Sequence, residues 1–304
     1  MSQTSTATEK SREHQPAHAV SSAETMKQVA GSFAHPVKIA LRGVAKSFSV
    51  GRTGVSRELA VLSGSDLDVR EGEFLALVGP SGCGKSSLLD LIAGLAKPTG
   101  GSVSVDGTAI DGPSLERGMV FQGYALFPWR TVRGNIEFGL ESRRTPKRER
   151  QEIASRYLSL VGLSGFENYY PHELSGGMKQ RVAIARSLAL DPDVLLMDEP
   201  FAAVDAQTRE TLQEELLKVW EETRKTIVFI THDIDEAVFL SDRVGIMTAR
   251  PGSIKALLTS DLPRPRHGGD IRASEEFRRL RHRAWLLLKD EVLKARQTAP
   301  TIKR

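Results

Sequence analysis

The chain has 304 residues, of which 40% are hydrophobic and 26% charged, and carries a formal net charge of +4. That length supports a substantial core, and the composition argues against a disordered or fibrous chain. No run reaches the roughly 18 apolar residues needed to cross a bilayer, the polar start lacks the apolar stretch of a secretory signal, and one cysteine excludes an internal disulfide framework.

Residues 1–36, rich in Ser, Thr, Ala, Gln and Glu without periodicity, read as a disordered tail. From Val37 short apolar segments follow: KIALRGVAKSF, ELAVLSGSDLDV and EFLALVG predict strands, the last of them buried at Phe74–Val78. SSLLDLIAGL predicts a helix, GSVSVDG a hairpin-like piece and RGMVFQ a strand. Helices are expected over 147–162 and 178–190, then a buried strand at VLLMD and a long helix at RETLQEELLKVWEETR. TIVFITH and DRVGIMT supply further strands. The alternation predicts an α/β core with a mostly parallel sheet. At 274–296, Phe277, Leu280, Ala284, Leu287, Leu288 and Glu291 fall at helical spacing, so an amphipathic helix is expected to pack on the body. The basic runs RRTPKRER (143–150) and RRLRHR (278–283) read as solvated helix faces, without the interleaved aromatics of a nucleic-acid platform.

The buried strand EFLALV runs into GPSGCGKSS, which fits G-x-x-x-x-G-K-[ST] from Gly79 to Ser86. Backbone N–H groups must converge on phosphate oxygens, and Gly79, Gly82 and Gly84 permit that approach. Pro80, Ser81, Cys83 and Ser87 complete the candidate cradle, with Cys83 read as a small spacer. The following helix directs its N-terminal dipole at the anion, Lys85 reaches the β- and γ-phosphates, and the Ser86 hydroxyl suits Mg²⁺. VLLMDEP ends a strand in Asp198, suited to hold Mg²⁺ through water, and Glu199, suited to accept a proton from an attacking water or to orient it. Between them, Ser175, Gly176 and Gly177 of LSGG stand at a helix start and form a second backbone anion site.

The order GPSGCGKSS, Gln122, LSGGMKQR, VLLMDEP, Asp205 and His232 resembles the ATP-binding subunits of ABC transporters over roughly 38–260. The resemblance implies a P-loop NTPase (RecA-like) α/β core with an antiparallel β-subdomain and an α-helical signature subdomain. It divides the chain into the 1–36 tail, an ATP-binding domain at 37–262 with its helical part at roughly 123–185, and a helical extension at 263–304. It further implies that Phe48 stacks on adenine and that Gln122 contacts Mg²⁺ and reports nucleotide state. Ser175, Gly176 and Gly177 would grip the γ-phosphate held by the opposite subunit, Asp205 would lie at the dimer interface, and His232 would sense the γ-phosphate. The implied cofactors are ATP and Mg²⁺. The implied partners are a second copy of the chain and transmembrane permease subunits, with a solute-binding protein acting through them and no nucleic acid. The place is the cytoplasmic face of the membrane, peripherally. The sequence departs from the common pattern at Phe48 (often Tyr), Gly123 (often acidic), Met178 (often Gln) and Ala202 (often Ser).

Within the family, ALFPWRTVRGNIEFGL and THDIDEAVFLSDRVGIMTARPG resemble the nitrate/sulfonate/taurine importers. Sulfonates or taurine lead, with nitrate, cyanate, bicarbonate and pyrimidine precursors behind. The alternative is a non-transport ABC ATPase, which usually carries a coiled-coil insertion or paired cassettes. In FQGYALFPWRTVRGNI, Tyr124 and Trp129 are expected to face a partner, and Leu126 and Phe127 to lean toward the core.

Overall fold

Strands made of unbroken apolar residues must bury both faces, and that requirement organises the molecule. The computed structural model describes residues 35–50, 57–266 and 270–298. Most of the tail expected at 1–36 lies outside them, and the account below concerns the unit from His35 onward. A six-stranded sheet runs in the order β10-β9-β3-β8-β7-β6: Ile254–Thr259, Arg243–Met247, Phe74–Val78, Thr226–Thr231, Val194–Asp198 and Arg117–Val120. All its neighbours are parallel except β10, which lies antiparallel on β9.

Successive side chains alternate between the faces. Phe74, Ala76 and Val78 of β3 join one core cluster, and Leu75 and Leu77 the other. The strands β7 and β8 divide in the same way. One cluster is closed by helix α1 (Lys85–Ala93) and by an antiparallel sheet of order β2-β1-β4-β5: Arg57–Arg70, Val37–Val50, Gly100–Val105 and Thr108–Ala109. The expected hairpin is β4–β5, turning at Asp106 (φ 49°) and Gly107 (φ 73°), as a tight two-residue turn requires.

The other cluster is covered by α2 (Val132–Ser142), α3 (Lys147–Leu160), α4 (Gly176–Leu188), α5 (Ala206–Thr223) and α6 (Ile234–Leu240). Two helix starts differ from expectation because caps set them. Ser175 accepts from the Met178 amide and draws both signature glycines into α4, and Asp205 starts α5 ahead of the predicted run. Helix α2, not among the expected elements, begins at the Thr131 cap and buries Val132, Ile136 and Leu140 at successive turns. Strand β10 also went unpredicted. The 143–150 run is largely exposed, as a solvated face should be, although Arg150 is half-buried near Glu137 and Glu141. Among the described residues no helix is long and apolar enough to cross a membrane.

Helix α7 (Glu275–Thr298) packs Phe277, Ala284 and Leu288 on the body as its period predicts. Glu291 shares that stripe but is a buried carboxylate, 2% exposed. It accepts from the Ala249 amide at 3.0 Å, from Lys255 at 2.8 Å and from Lys294 at 2.9 Å. Burial alone would raise its pKa; the two ammonium groups and the amide outweigh that and hold it at about 2. A depressed carboxylate stabilises the fold above its unfolded pKa and loses that contribution as the pH falls toward the folded value. Glu291→Gln should therefore be less stable than the wild type near neutrality, by about 1–3 kcal/mol once the exposure of Lys294 is allowed for. In urea titrations the gap should close between pH 4.5 and about 2; a gap independent of pH would contradict the assignment.

Candidate functional site

The parallel register delivers three chain segments to one edge. Val78 pairs with Thr231, and Asp198 with Ile230, so the loop after β3, the acids ending β7 and the residues after β8 emerge side by side. The loop from Gly79 to Gly84 runs straight into α1. Gly84 has φ 103°, which a side chain would strain. At Gly79 an added Cβ would stand 2.8 Å from the Cys83 Sγ and 3.0 Å from the Met247 Cβ. Cys83 is buried, and burial raises its thiol pKa, so it fills space beneath the loop rather than presenting a thiolate. Pro80 is buried, Ser81 and Gly82 are exposed, and Ser87 is half-buried.

Lys85 is 6% exposed and donates to the Gly79 carbonyl at 2.9 Å and the Pro80 carbonyl at 3.3 Å. It is an ammonium held by neutral acceptors, which phosphate oxygens can replace with stronger charge-assisted bonds. The Ser86 hydroxyl lies near enough to the Asp198 carboxylate to favour its charged form. Burial raises the Asp198 pKa, with Ser86 opposing and Glu199 adding to the shift. Asp90 is raised too, by burial and by the Asp198 charge. A hydroxyl against a partly desolvated carboxylate, with more acid nearby, is an oxygen donor set that a hard divalent cation fits. Among the described residues no cluster of three or more His, Cys, Asp or Glu side chains could hold a metal. Gln122 is exposed, and among the described residues no hydrogen bond joins it to Ser86 or Asp198.

Glu199 sits at φ 43°, an unusual conformation for a glutamate, with its amide held by the Ile230 carbonyl at 3.0 Å. Its Oε2 lies 3.0 Å from Nδ1 of His232, whose side chain is largely exposed. A carboxylate and an imidazole are thus paired beside the phosphate loop, facing solvent. The backbone after His232 is fixed by Asp233, which caps α6 through the Asp235 and Glu236 amides. Beneath it, buried Glu236 accepts from Thr231 at 2.6 Å and from Gln213 at 3.1 Å, and Gln213 in turn accepts from Arg272. Burial raises the Glu236 pKa. Sequence patterning gave no sign of this network.

The signature residues lie apart from the cradle. Ser175 and Asp205 are both exposed helix caps; Asp205 accepts from the Thr208 amide at 3.0 Å, which lowers its pKa. Gly177 is packed so that a Cβ would stand 2.7 Å from Thr208. Among the described residues no hydrogen bond or ion pair joins 174–177 to 79–86. Phe48 on β1 is 43% exposed, with the Lys46 ammonium 5.0 Å over its ring, so a flat face and a cation are presented together.

The aromatic stretch divides differently from expectation. Tyr124 (φ 60°) is half-buried against the core near Gly176, so it is not an exposed anchor. Leu126 packs inward as expected, whereas Phe127 is half-buried in a surface group, its ring 5.6 Å from Trp129 and 4.4 Å from Phe138. Trp129 is 72% exposed. Two residues not foreseen hold this loop. Asn135, fully buried, satisfies Phe127, Arg130 and Thr131 backbone groups. Arg186 on α4 donates to the Tyr124 and Ala125 carbonyls at 3.0 and 2.6 Å, and so ties the segment after Gln122 to the signature helix.

Comparison with known proteins agrees with this arrangement. Residues 62–202 match the family model described as ABC transporter. An uncharacterised ABC transporter ATP-binding protein of Methanocaldococcus jannaschii is 54% identical over 85% of this chain and 94% of its own length. A nitrate import ATP-binding protein of Synechocystis is 53% identical over 70% of this chain and 79% of its own. An aliphatic sulfonates import ATP-binding protein of Bacillus cereus is 45% identical, over 80% and 92%. Among solved structures, a dimeric bacterial ABC transporter cassette superposes with a TM-score of 0.64 at 34% identity, covering 73% of this chain and 98% of that one. The chain belongs to the ATP-binding proteins of ABC transporters and is an ATPase of that family.

Proposed function

We propose that the protein is the energy-coupling ATPase of an importer for a small anionic solute, with nitrate and aliphatic sulfonates or taurine as the leading cargoes. The observation that carries the reading is that, among the described residues, no hydrogen bond or ion pair joins Ser175, Gly176 or Gly177 to the loop from Gly79 to Ser86. A second copy supplying its Ser175, Gly176 and Gly177 to the γ-phosphate completes each site, so two chains enclose two ATP molecules. The relatives named for nitrate and sulfonate import support the cargo class. Such a subunit never touches cargo, so cyanate, bicarbonate or a pyrimidine precursor would use the same machinery.

In this reading the loop amides from Gly79 to Ser87 receive the phosphates, and Lys85 leaves the Gly79 and Pro80 carbonyls for the β- and γ-phosphates. Phe48 takes the adenine on its open face. Ser86, Asp198 and Gln122 would hold Mg²⁺, which neutralises phosphate charge when bound. Glu199 takes a proton from the attacking water or orients it, while His232 holds the Glu199 carboxylate and reaches toward the γ-phosphate. Asp205 lies at the interface of the two copies. Closure and opening of the pair then moves a membrane partner lodged on Phe127, Trp129 and Phe138 at the cytoplasmic face.

Glu199→Gln should keep ATP affinity while turnover falls at least about 100-fold, measured by phosphate release; undiminished turnover removes Glu199 from the water's path. Lys85→Ala should weaken ATP binding about 10- to 100-fold in equilibrium titration, the loss expected for charge-assisted bonds. Trp129→Ala should leave ATPase activity of the purified subunit within about twofold, because the side chain is exposed, and should abolish solute uptake. A Trp129→Ala subunit that transports normally would remove this patch from the coupling path.

A further inference from the structure

The turn between β9 and β10, Thr248–Ser253, closes on itself: the Thr248 amide donates to the Ser253 carbonyl at 2.9 Å, and the Ser253 amide to the Thr248 hydroxyl at 2.9 Å. It is fastened on two further sides. Gly252 exchanges backbone hydrogen bonds with Val61 and Ser63 at 2.8 and 3.0 Å. On the opposite side, Glu291 of α7 accepts from the Ala249 amide at 3.0 Å. The turn then lies directly against the phosphate loop, where a Cβ on Gly252 would overlap the Cys83 carbonyl oxygen. Arg250 extends from this fastened turn and its Nε donates to the Gly82 carbonyl at 3.1 Å. Its Nη2 lies close enough to Gly82 that an added Cβ would be 2.9 Å away.

Gly82 is at φ 74°, and the Cys83 amide in its peptide unit donates to the Pro80 carbonyl at 3.2 Å. Arg250 therefore holds one end of a rigid peptide plane whose other end closes the loop's own turn. A loop held this way loses less freedom when it wraps a polyphosphate, because ordering has been completed beforehand. None of the phosphate-loop, acid, signature or histidine groups described above includes this arm, and its parts are 168 and 42 residues apart in sequence.

We propose that Arg250 is a positioning residue of the ATP site, holding the Gly82 peptide from a turn that Glu291 of the C-terminal helix keeps in place. The consequence is a specific kinetic signature. Preorganisation acts on binding of substrate and transition state alike, so its loss raises KM and spares kcat. Because Arg250 is exposed, the effect is modest.

The proposal rests on the ATP-binding reading of the loop, and the test separates the two. With the full chain, Arg250→Gln should raise both the KM for ATP and the Kd for a fluorescent ATP analogue about five- to tenfold, with kcat at saturation within about twofold. Arg250→Lys keeps the charge but not the planar Nε–H donor, and should recover only part of the affinity. Glu291→Gln leaves the loop's charge untouched and should raise KM about threefold at a temperature where thermal melting shows it fully folded. Unchanged KM and Kd in Arg250→Gln would overturn the proposal. So would full recovery by Arg250→Lys, since charge alone would then suffice, and an unchanged KM in folded Glu291→Gln would remove the helix from it. A wild-type chain that binds no nucleotide would overturn both readings, whereas normal wild-type binding with an indifferent Arg250→Gln overturns this one alone.

Discussion

The register of four parallel strands buried on both faces is the constraint from which the site follows. Val78, Asp198, Thr231 and Met247 end neighbouring strands whose interiors are mainly apolar on both faces, so the strand ends are where polar groups can meet a ligand. A one-residue slip in β7 would exchange Leu195 and Met197 for Leu196 and Asp198 on the helical face, driving a carboxylate into the core. Apolar alternation across the sheet thus fixes which acid stands beside Ser86 and which faces His232. The catalytic geometry is a by-product of core packing.

At that edge the charges are arranged to want a partner. Asp198 and Asp90 are pushed toward protonation by burial and by acidic neighbours, and Lys85 satisfies itself on two carbonyls. Each of these compromises is relieved by a polyphosphate with its cation, which brings negative charge to the ammonium and positive charge to the carboxylates. Ser175 caps a helix start at an exposed position, and among the described residues no hydrogen bond or ion pair joins it to the phosphate loop. Ligand binding and pairing of two chains are in this view one event.

The parts of the site that were legible in the sequence are those whose chemistry is local. A phosphate loop needs its glycines within a few residues of its lysine, and a strand-end acid announces itself after VLLM. The parts that were not legible depend on groups far apart in the chain. Arg186 reads as an ordinary helix residue until its guanidinium is seen on the Tyr124 and Ala125 carbonyls, 62 and 61 residues away. Glu291 sits in a recognisable stripe, but only the fold shows that the stripe ends in a carboxylate gripping the turn next to the phosphate loop. The helix at Val132–Ser142 has its apolar period in only three residues, Val132, Ile136 and Leu140, with Gly134, Asn135 and Gly139 between them. Tyr124 was expected to face a partner from its place just after Gln122, yet it is half-buried against the core near Gly176.

The central claim is that one chain holds half of each ATP site. Its most direct test is the mass in solution of the Glu199→Gln protein, measured by light scattering with and without ATP. The account predicts a single chain without nucleotide and a pair with it, two ATP molecules being retained per pair. A protein that binds ATP at full occupancy and stays a single chain would contradict it.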